Sequence, residues 1–205
     1  MSVSRMMAGI LQQGTHPFPY AILICWGAGN ALPSRSLSIS ICLSHMTVPY
    51  LREASSADLP ALVDLENAAF AGDRISRRDW RHLLTSPSAL VIVSDDAAGL
   101  TGCSVILTNR RTAVARLYSL AVAPRARRQG IAQALLQQAI ASSAGTGAHL
   151  LRLETRSDNL PAQALFSRHG FRPFKRVANY YEDGAEAIRF QRLIDHDCLR
   201  QSALQ

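Results

Sequence analysis

Leu117-Tyr118-Ser119-Leu120-Ala121-Val122-Ala123-Pro124-Arg125-Ala126-Arg127-Arg128-Gln129-Gly130-Ile131-Ala132 is the stretch on which the fold turns. Its first half is an apolar, strand-favouring run closed by a proline. Its second half is basic, reaches a glycine and enters a segment where Ile131, Leu135, Leu136, Ala139 and Ile140 form one helical stripe. A turn that leaves a strand and opens a helix presents unpaired backbone N–H groups, and the helix dipole adds partial positive charge there. Such a turn binds anions. Gly130 has no Cβ, so an anion can approach the main chain closely, and Ala132 is small to the same end. Arg125, Arg127 and Arg128 raise the local positive potential. A basic loop that merely starts a helix has the same pattern, so the turn alone says only that an anion fits.

Outward from this turn the chain alternates regularly. Upstream, Val48 to Glu53 reads as a short strand and Asp58 to Phe70 as a helix with Leu59, Leu62, Val63, Leu65 and Phe70 at helical spacing. Ser76-Arg77-Arg78-Asp79 resembles a capping box that opens a second helix to Leu84. Ala89–Ser94 and Leu100–Leu107 read as a hairpin, followed by a strand over Ala113–Val122. Downstream, the helix from Gly130 to about Ser143 ends at Gly145-Thr146-Gly147, and His149–Thr155 alternates as a strand. Pro161 starts a helix with Asp158 or Asn159 as its cap, running to about His169 before Gly170. Phe171–Ala178 and Ala187–Leu193 read as the last two strands. The order β-α-α-β-β-β-α-β-α-β-β implies an α/β (α+β) mixed sheet with one parallel crossover, from the strand at Tyr118 to the strand at Leu151.

The chain has 205 residues, 48% of them hydrophobic, which suits one domain plus an extension. The boundary falls between residues 1–46 and 47–205. Residues 1–46 hold only Arg5 and Arg35 as charges and no acid. They read as a poorly ordered leader, as sequence upstream of a true start at Met46, or as a signal peptide built on the apolar patch Tyr20–Gly29. That patch is much shorter than the ~20 residues that span a bilayer, so no membrane partner is expected.

The net charge of +7 comes almost wholly from arginine, Lys175 being the sole lysine. This Arg- and Ala-rich, Lys-poor composition reflects codon bias, and no nucleic-acid partner is expected. A basic chain suits a polyanionic ligand or an acidic partner surface. Cys25, Cys42, Cys103 and Cys198 are widely spaced, the histidines do not cluster, and the chain reads as reduced, cytoplasmic and metal-free. His149 and His169 read as structural, and Trp80 as a core residue or a wall of a ligand cleft.

Arg127-x-x-Gly130-x-Ala132 after its strand resembles the Q/R-x-x-G-x-G/A signature of the GNAT acetyltransferase superfamily. Asn159-Leu160-Pro161-Ala162, Leu165-Phe166 and Gly170-Phe171 resemble the same family's N-x-x-A-x-x-x-Y-x-x-x-G-F motif. Two motifs in the proper order are far more specific than either alone, and the likeness spans roughly residues 47–194. It implies a GNAT-like fold whose central mixed sheet is splayed between strands four and five and flanked by helices, with acetyl-CoA as acetyl donor in the opening. By position, Leu120, Ala121 and Val122 would offer backbone groups to the pantetheine arm. Arg127, Arg128, Gln129, Gly130, Ile131, Ala132 and Gln133 would hold the pyrophosphate, with Asn159 and Phe166 along the cofactor arm.

Leu151-Arg152-Leu153-Glu154-Thr155-Arg156-Ser157-Asp158-Asn159 is similar to the L-E-V-R-x-x-N run of bacterial ribosomal-protein-alanine N-acetyltransferases, and Asn179-Tyr180-Tyr181-Glu182-Asp183-Gly184 to their N-Y-Y…D-G run. The likeness implies Glu154 as general base, against the plainer alternative of a strand-end glutamate paired with Arg152 or Arg156. It places Tyr180 and Glu182 at the acceptor, although a solvated hairpin accounts for the same stretch. The family tyrosine falls at Phe166, which has no hydroxyl to protonate a thiolate. The thiolate leaves unaided, or Tyr180 or Tyr181 supplies the proton, or the protein binds acetyl-CoA without efficient turnover. The expected acceptor is a protein or peptide N-terminus, with a small amine or no acceptor at all as alternatives.

Overall fold

The computed structural model describes residues 49–70, 72–109 and 111–195; the expectations for residues 1–46, and for Cys25, Cys42 and Cys198, lie outside them. The chain runs β1 (Leu51–Glu53), α1 (Leu59–Ala69), α2 (Arg77–Thr85), β2 (Ala89–Asp96), β3 (Gly99–Asn109), β4 (Val114–Val122), α3 (Ile131–Gly145), β5 (Leu150–Arg156), α4 (Leu160–Arg168), β6 (Arg172–Val177) and β7 (Ala187–Leu193). The expected order holds throughout, with element ends moved by a few residues. Local chemistry accounts for the ends. Ser76 Oγ accepts the Asp79 N–H at 3.1 Å to start α2, and Asn159 Oδ1 accepts the Ala162 N–H at 3.2 Å to start α4 ahead of Pro161.

The strands form one sheet in the order β1-β2-β3-β4-β5-β7-β6, with β4–β5 the parallel pair. β7 enters between β5 and β6, antiparallel to both. The two faces of the sheet are separable at adjacent residues of β3. A Cβ on Gly102 would meet Ile131 and Leu135 of α3 at 2.9 Å, so that face carries α3. Cys103 points to the other face, where α1 brings Glu66 into electrostatic range of its thiol. Trp80 of α2 is fully buried in the main core, which settles its alternative, and Cys103 is likewise buried.

β4 and β5 part company early. Their ladder holds only Val114–Leu150, Ala115–Leu151 and Arg116–Arg152, whereas β4 continues to Val122 and β5 to Arg156. The cause lies in β4. Val105 and Ile106 of β3 face Ser119 and Leu117, so Tyr118 is an extra residue on β4. A bulge bends its strand and increases its twist. Here it falls two residues after the last β4–β5 pair, and the sheet opens at that point.

Candidate active site

The opening is lined on one side by the β4 backbone from Leu117 onward, which has no ladder partner on β5. Leu120, Ala121 and Val122 lie there with buried side chains, leaving the main chain as the polar element. The turn after β4 leads to the N-terminus of α3. Gly130 occupies the cap with φ 80°, a left-handed conformation that favours glycine, and space around it is open where a Cβ would stand. Arg128 also has positive φ, 63°. The first turn of α3 carries no acid and receives no side-chain cap, so its N–H groups keep their capacity for an anion. Arg127 Nε is buried without a hydrogen-bond partner.

Arg125 behaves differently from its expected part. It forks onto Asp96 at 2.6 and 3.0 Å and onto the carbonyls of Gly99 and Leu100, so it ties the turn to the β2–β3 hairpin and its charge is countered there. Gln129 Nε2 donates to the Arg125 carbonyl at 3.3 Å. Ile131 is buried against β3, while Ala132 is partly exposed and Gln133 exposed on the first turn. The open β4 edge, the uncapped helix start and the partnerless Arg127 Nε together fit an extended polyanion with an amide-bearing arm, the chemistry of an acyl-CoA.

Across the opening stands Glu154, on β5 two residues beyond the last pair and only 6% exposed. Its partners are not Arg152 or Arg156. Arg116 of β4 reaches Glu154 Oε2 through Nη2 at 2.8 Å and Nε at 3.0 Å, and Arg189 of β7 lies 3.4 Å from Oε1. Strand geometry explains the correction. Arg189 is the directly opposed cross-strand neighbour of Glu154. Opposed Cβ atoms lie about 5 Å apart, closer than residues two apart on one strand at about 6.7 Å. Arg152 instead covers the ring of Phe174, and Arg156 forks onto Asp183 at 3.1 and 2.7 Å.

The β6–β7 loop closes over this pair. Tyr180 and Tyr181 are both buried, edge to face with centroids 5.4 Å apart. Tyr180 Oη accepts from Arg116 Nη2 at 3.1 Å. Tyr181 Oη has no hydrogen-bond partner, and its ring lies under the Arg156 guanidinium at 4.8 Å. Burial pushes the pKa of both phenols above the ordinary tyrosine value, so both stay protonated at neutral pH. Glu182 is exposed, and its backbone N–H donates to Asp73 of the α1–α2 loop. Asn159 has its amide oxygen at the α4 cap, and Phe166 is wholly buried with its ring 5.9 Å from those of Phe171 and Phe190. His169 Nδ1 lies 2.8 Å from the Leu165 carbonyl, the structural role expected of it.

Glu66 was not legible as a site residue. It sits on α1 within the apolar stripe Leu62, Leu65, Glu66 and Ala69 and is 2% exposed. Oε1 accepts the Ile75 N–H at 2.8 Å, and Oε2 has no partner. Burial pushes its carboxyl up to about 7, against the lowering pull of that hydrogen bond and of Arg74. A carboxylate inside an apolar helical stripe was the available signal. Arg116, in the otherwise apolar run Val114–Leu117, carried a similar one. Among the described residues no group of three or more His, Cys, Asp or Glu side chains comes together to hold a metal, and no helix is long and apolar enough to cross a membrane.

A sheet opened between two parallel strands, with an anion-binding helix start at one end and buried titrating groups at the other, defines an acyltransferase. The chain belongs to the acetyltransferase (GNAT) family, whose sequence profile it matches over residues 53–171. It is 28% identical over 139 residues to a Bacillus subtilis protein assigned provisionally as a [ribosomal protein bS18]-alanine N-acetyltransferase, covering 66% of this chain and 89% of that one. It is 31% identical over 103 residues to N-alpha-acetyltransferase 30 of Schizosaccharomyces pombe, covering 50% of this chain and 69% of the other. The fold superposes on the ribosomal-protein-S18-alanine N-acetyltransferase of Escherichia coli with a TM-score of 0.66 at 26% identity, over 72% of this chain and 95% of that one. The protein is an N-acetyltransferase of the GNAT type.

Proposed function

We propose that this enzyme transfers acetyl from acetyl-CoA to the free amino terminus of a protein or peptide by direct attack. The observation that carries this reading is the opening of β4 from β5 at Arg116 and Arg152, with Glu154 just inside it and the α3 N-terminus at its far end. The backbone of Leu120, Ala121 and Val122 takes the pantetheine arm, and residues 127–133 take the pyrophosphate. Asn159 and Phe166 line the arm's remaining side.

The amine must lose a proton, its nitrogen must bond to the carbonyl carbon, and the carbon–sulfur bond must break with the thiolate taking up a proton. Glu154 accepts the amine's proton, directly or through water, at Oε1, which faces Arg189 at 3.4 Å without a hydrogen bond while Arg116 holds Oε2. A backbone N–H near Val122 faces the developing oxyanion. Tyr181 donates to the departing sulfur; its hydroxyl is protonated and unpartnered, which Phe166 cannot match. Tyr180 and Glu182 flank the acceptor.

A second assignment of the base rests on Glu66. Its carboxyl titrates near neutrality and one oxygen is unengaged, the two properties that suit a general base. The two assignments separate by pH profile. With Glu154 as base, Glu154→Gln abolishes the base-dependent rise in kcat/KM while Glu66→Gln leaves it. With Glu66 as base, the rise has its midpoint near 7 and disappears in Glu66→Gln. A chain that binds acetyl-CoA yet acetylates neither peptide nor small amine would overturn the catalytic proposal altogether.

A further inference from the structure

The α1–α2 loop and the β6–β7 loop meet at a polar spot whose aspartate the acetyl transfer itself leaves unexplained. Asp73 stands on the first loop with φ 48°, a conformation that an aspartate tolerates and most side chains do not. Its carboxylate accepts the Glu182 N–H, which joins the two loops, but its Oδ1 is buried without a partner. Tyr181, 3% exposed, brings a second partnerless atom, its hydroxyl, into electrostatic range of Asp73. Glu182 and Asp183 add negative charge, and both act on the Asp73 carboxyl. Arg156, whose charge acts on the Asp73 carboxyl, is forked onto Asp183 and also bonded to Asp158. The spot therefore has surplus negative charge, a buried acceptor with no donor and a hydroxyl with no partner. Buried polar atoms in native proteins are nearly always satisfied, so a ligand with a cationic donor suits both.

That ligand group is not the reacting amine, which must become neutral to attack, whereas a group held by a carboxylate keeps its charge. We propose that Asp73, assisted by the lone pairs of the Tyr181 hydroxyl, whose proton stays available to the sulfur, selects acceptors that carry a second cationic group beside the reacting amine. This inference rests on the acetyl-transfer reading. The shared chemistry is an ammonium or guanidinium a few bonds from the amine, presented either by a lysine or arginine early in a peptide or by a small diamine.

The test compares wild type with Asp73→Asn, which keeps both the left-handed backbone and an acceptor for the Glu182 N–H. Two substrate pairs are used: peptides identical except for Lys or Met in second place, and 1,4-diaminobutane against butylamine. Wild type is expected to favour the dicationic member of one pair by about tenfold in kcat/KM, the factor for one well-placed charge pair. Asp73→Asn is expected to bring that ratio to near one, which a merely structural role would not do. The pair that responds identifies peptide or diamine as the source. A wild-type ratio near one in both pairs, or a ratio unchanged in Asp73→Asn, overturns the inference while leaving acetyl transfer intact. If neither enzyme form turns over any acceptor, the acetyl-transfer reading fails. Calorimetric binding of the Lys and Met peptides to the coenzyme A-loaded protein then still decides on Asp73: tighter Lys-peptide binding that Asp73→Asn abolishes supports it, and equal binding rejects it.

Discussion

Glu154 and Arg189 face each other directly across the β5–β7 ladder, with Arg189 Nε 3.4 Å from Glu154 Oε1 while Arg116 holds the other oxygen from β4. The carboxylate thus links three strands at the point where the sheet opens. Glu154→Gln leaves two poorly exposed guanidiniums without their counter-charge. Breaking such a pair costs roughly 3–5 kcal/mol when fully buried, and somewhat less is expected here because Arg116 and Arg189 keep some solvent contact. Urea unfolding of the variant checks this. If Glu154 is also the base, kcat falls about 100-fold or more while coenzyme A affinity changes less than about threefold.

Glu66 gives the fold a pH dependence of definite sign. Its carboxyl titrates near 7 in the folded chain against an ordinary value of 4.5. Between those values the folded state holds the proton and the unfolded state does not, so stability falls as pH rises. The contribution is fully present below about 4.5 and gone above about 7, and its size is on the order of 3 kcal/mol. Stability curves for wild type and Glu66→Gln should diverge across this window, with the variant lacking the decline. Parallel curves would remove Glu66 as its source.

Gly102 couples the sheet to the start of α3. A Cβ there would stand 2.9 Å from the Ala121 carbonyl oxygen and from side-chain carbons of Ile131 and Leu135, the first of which belongs to the opening turn of α3. Gly102→Ala should therefore push α3 away from β3, costing about 1–3 kcal/mol. Coenzyme A binding should weaken as well, because the helix start moves relative to β4. Unchanged affinity by calorimetry would mean that the helix start is not part of the cofactor site.

Phe166 lies wholly within the core, against Phe171 and Phe190. Phe166→Tyr puts a hydroxyl into that setting, and an unpaired buried hydroxyl costs about 1–3 kcal/mol. The expected outcome is a lower Tm in the free protein and a larger Tm gain on adding coenzyme A, whose sulfur end would offer the hydroxyl a partner. An equal gain in both proteins would place position 166 away from the cofactor arm.

The sequence disclosed the fold because its signals are local. Ser76, Asn159 and Pro161 mark helix starts, and apolar periodicity marks the strands and helices between them. Gly130 and the turn after Val122 were legible for the same reason. The insertion of β7 between β5 and β6 was not, since no local signal sets strand order. Errors at the site follow from that. With β7 unplaced, the partner of Glu154 looked to be Arg152 or Arg156, its neighbours along the strand, when Arg189 faces it across the ladder. Arg125 reads in the sequence as part of the positive potential at the start of α3, but the β2–β3 hairpin brings Asp96 to it and counters its charge. Asp73 and Tyr181 lie 108 positions apart, and only the meeting of two loops relates them.

Acetyl transfer to a free amino terminus is tested most directly by incubating the protein with acetyl-CoA and a library of unblocked peptides, then locating any acetyl group by mass spectrometry while thiol release is followed. The account predicts one acetyl on the α-nitrogen of a subset of peptides, matched by coenzyme A released. Saturable binding of acetyl-CoA with no acetylated peptide or small amine and no thiol release would contradict it.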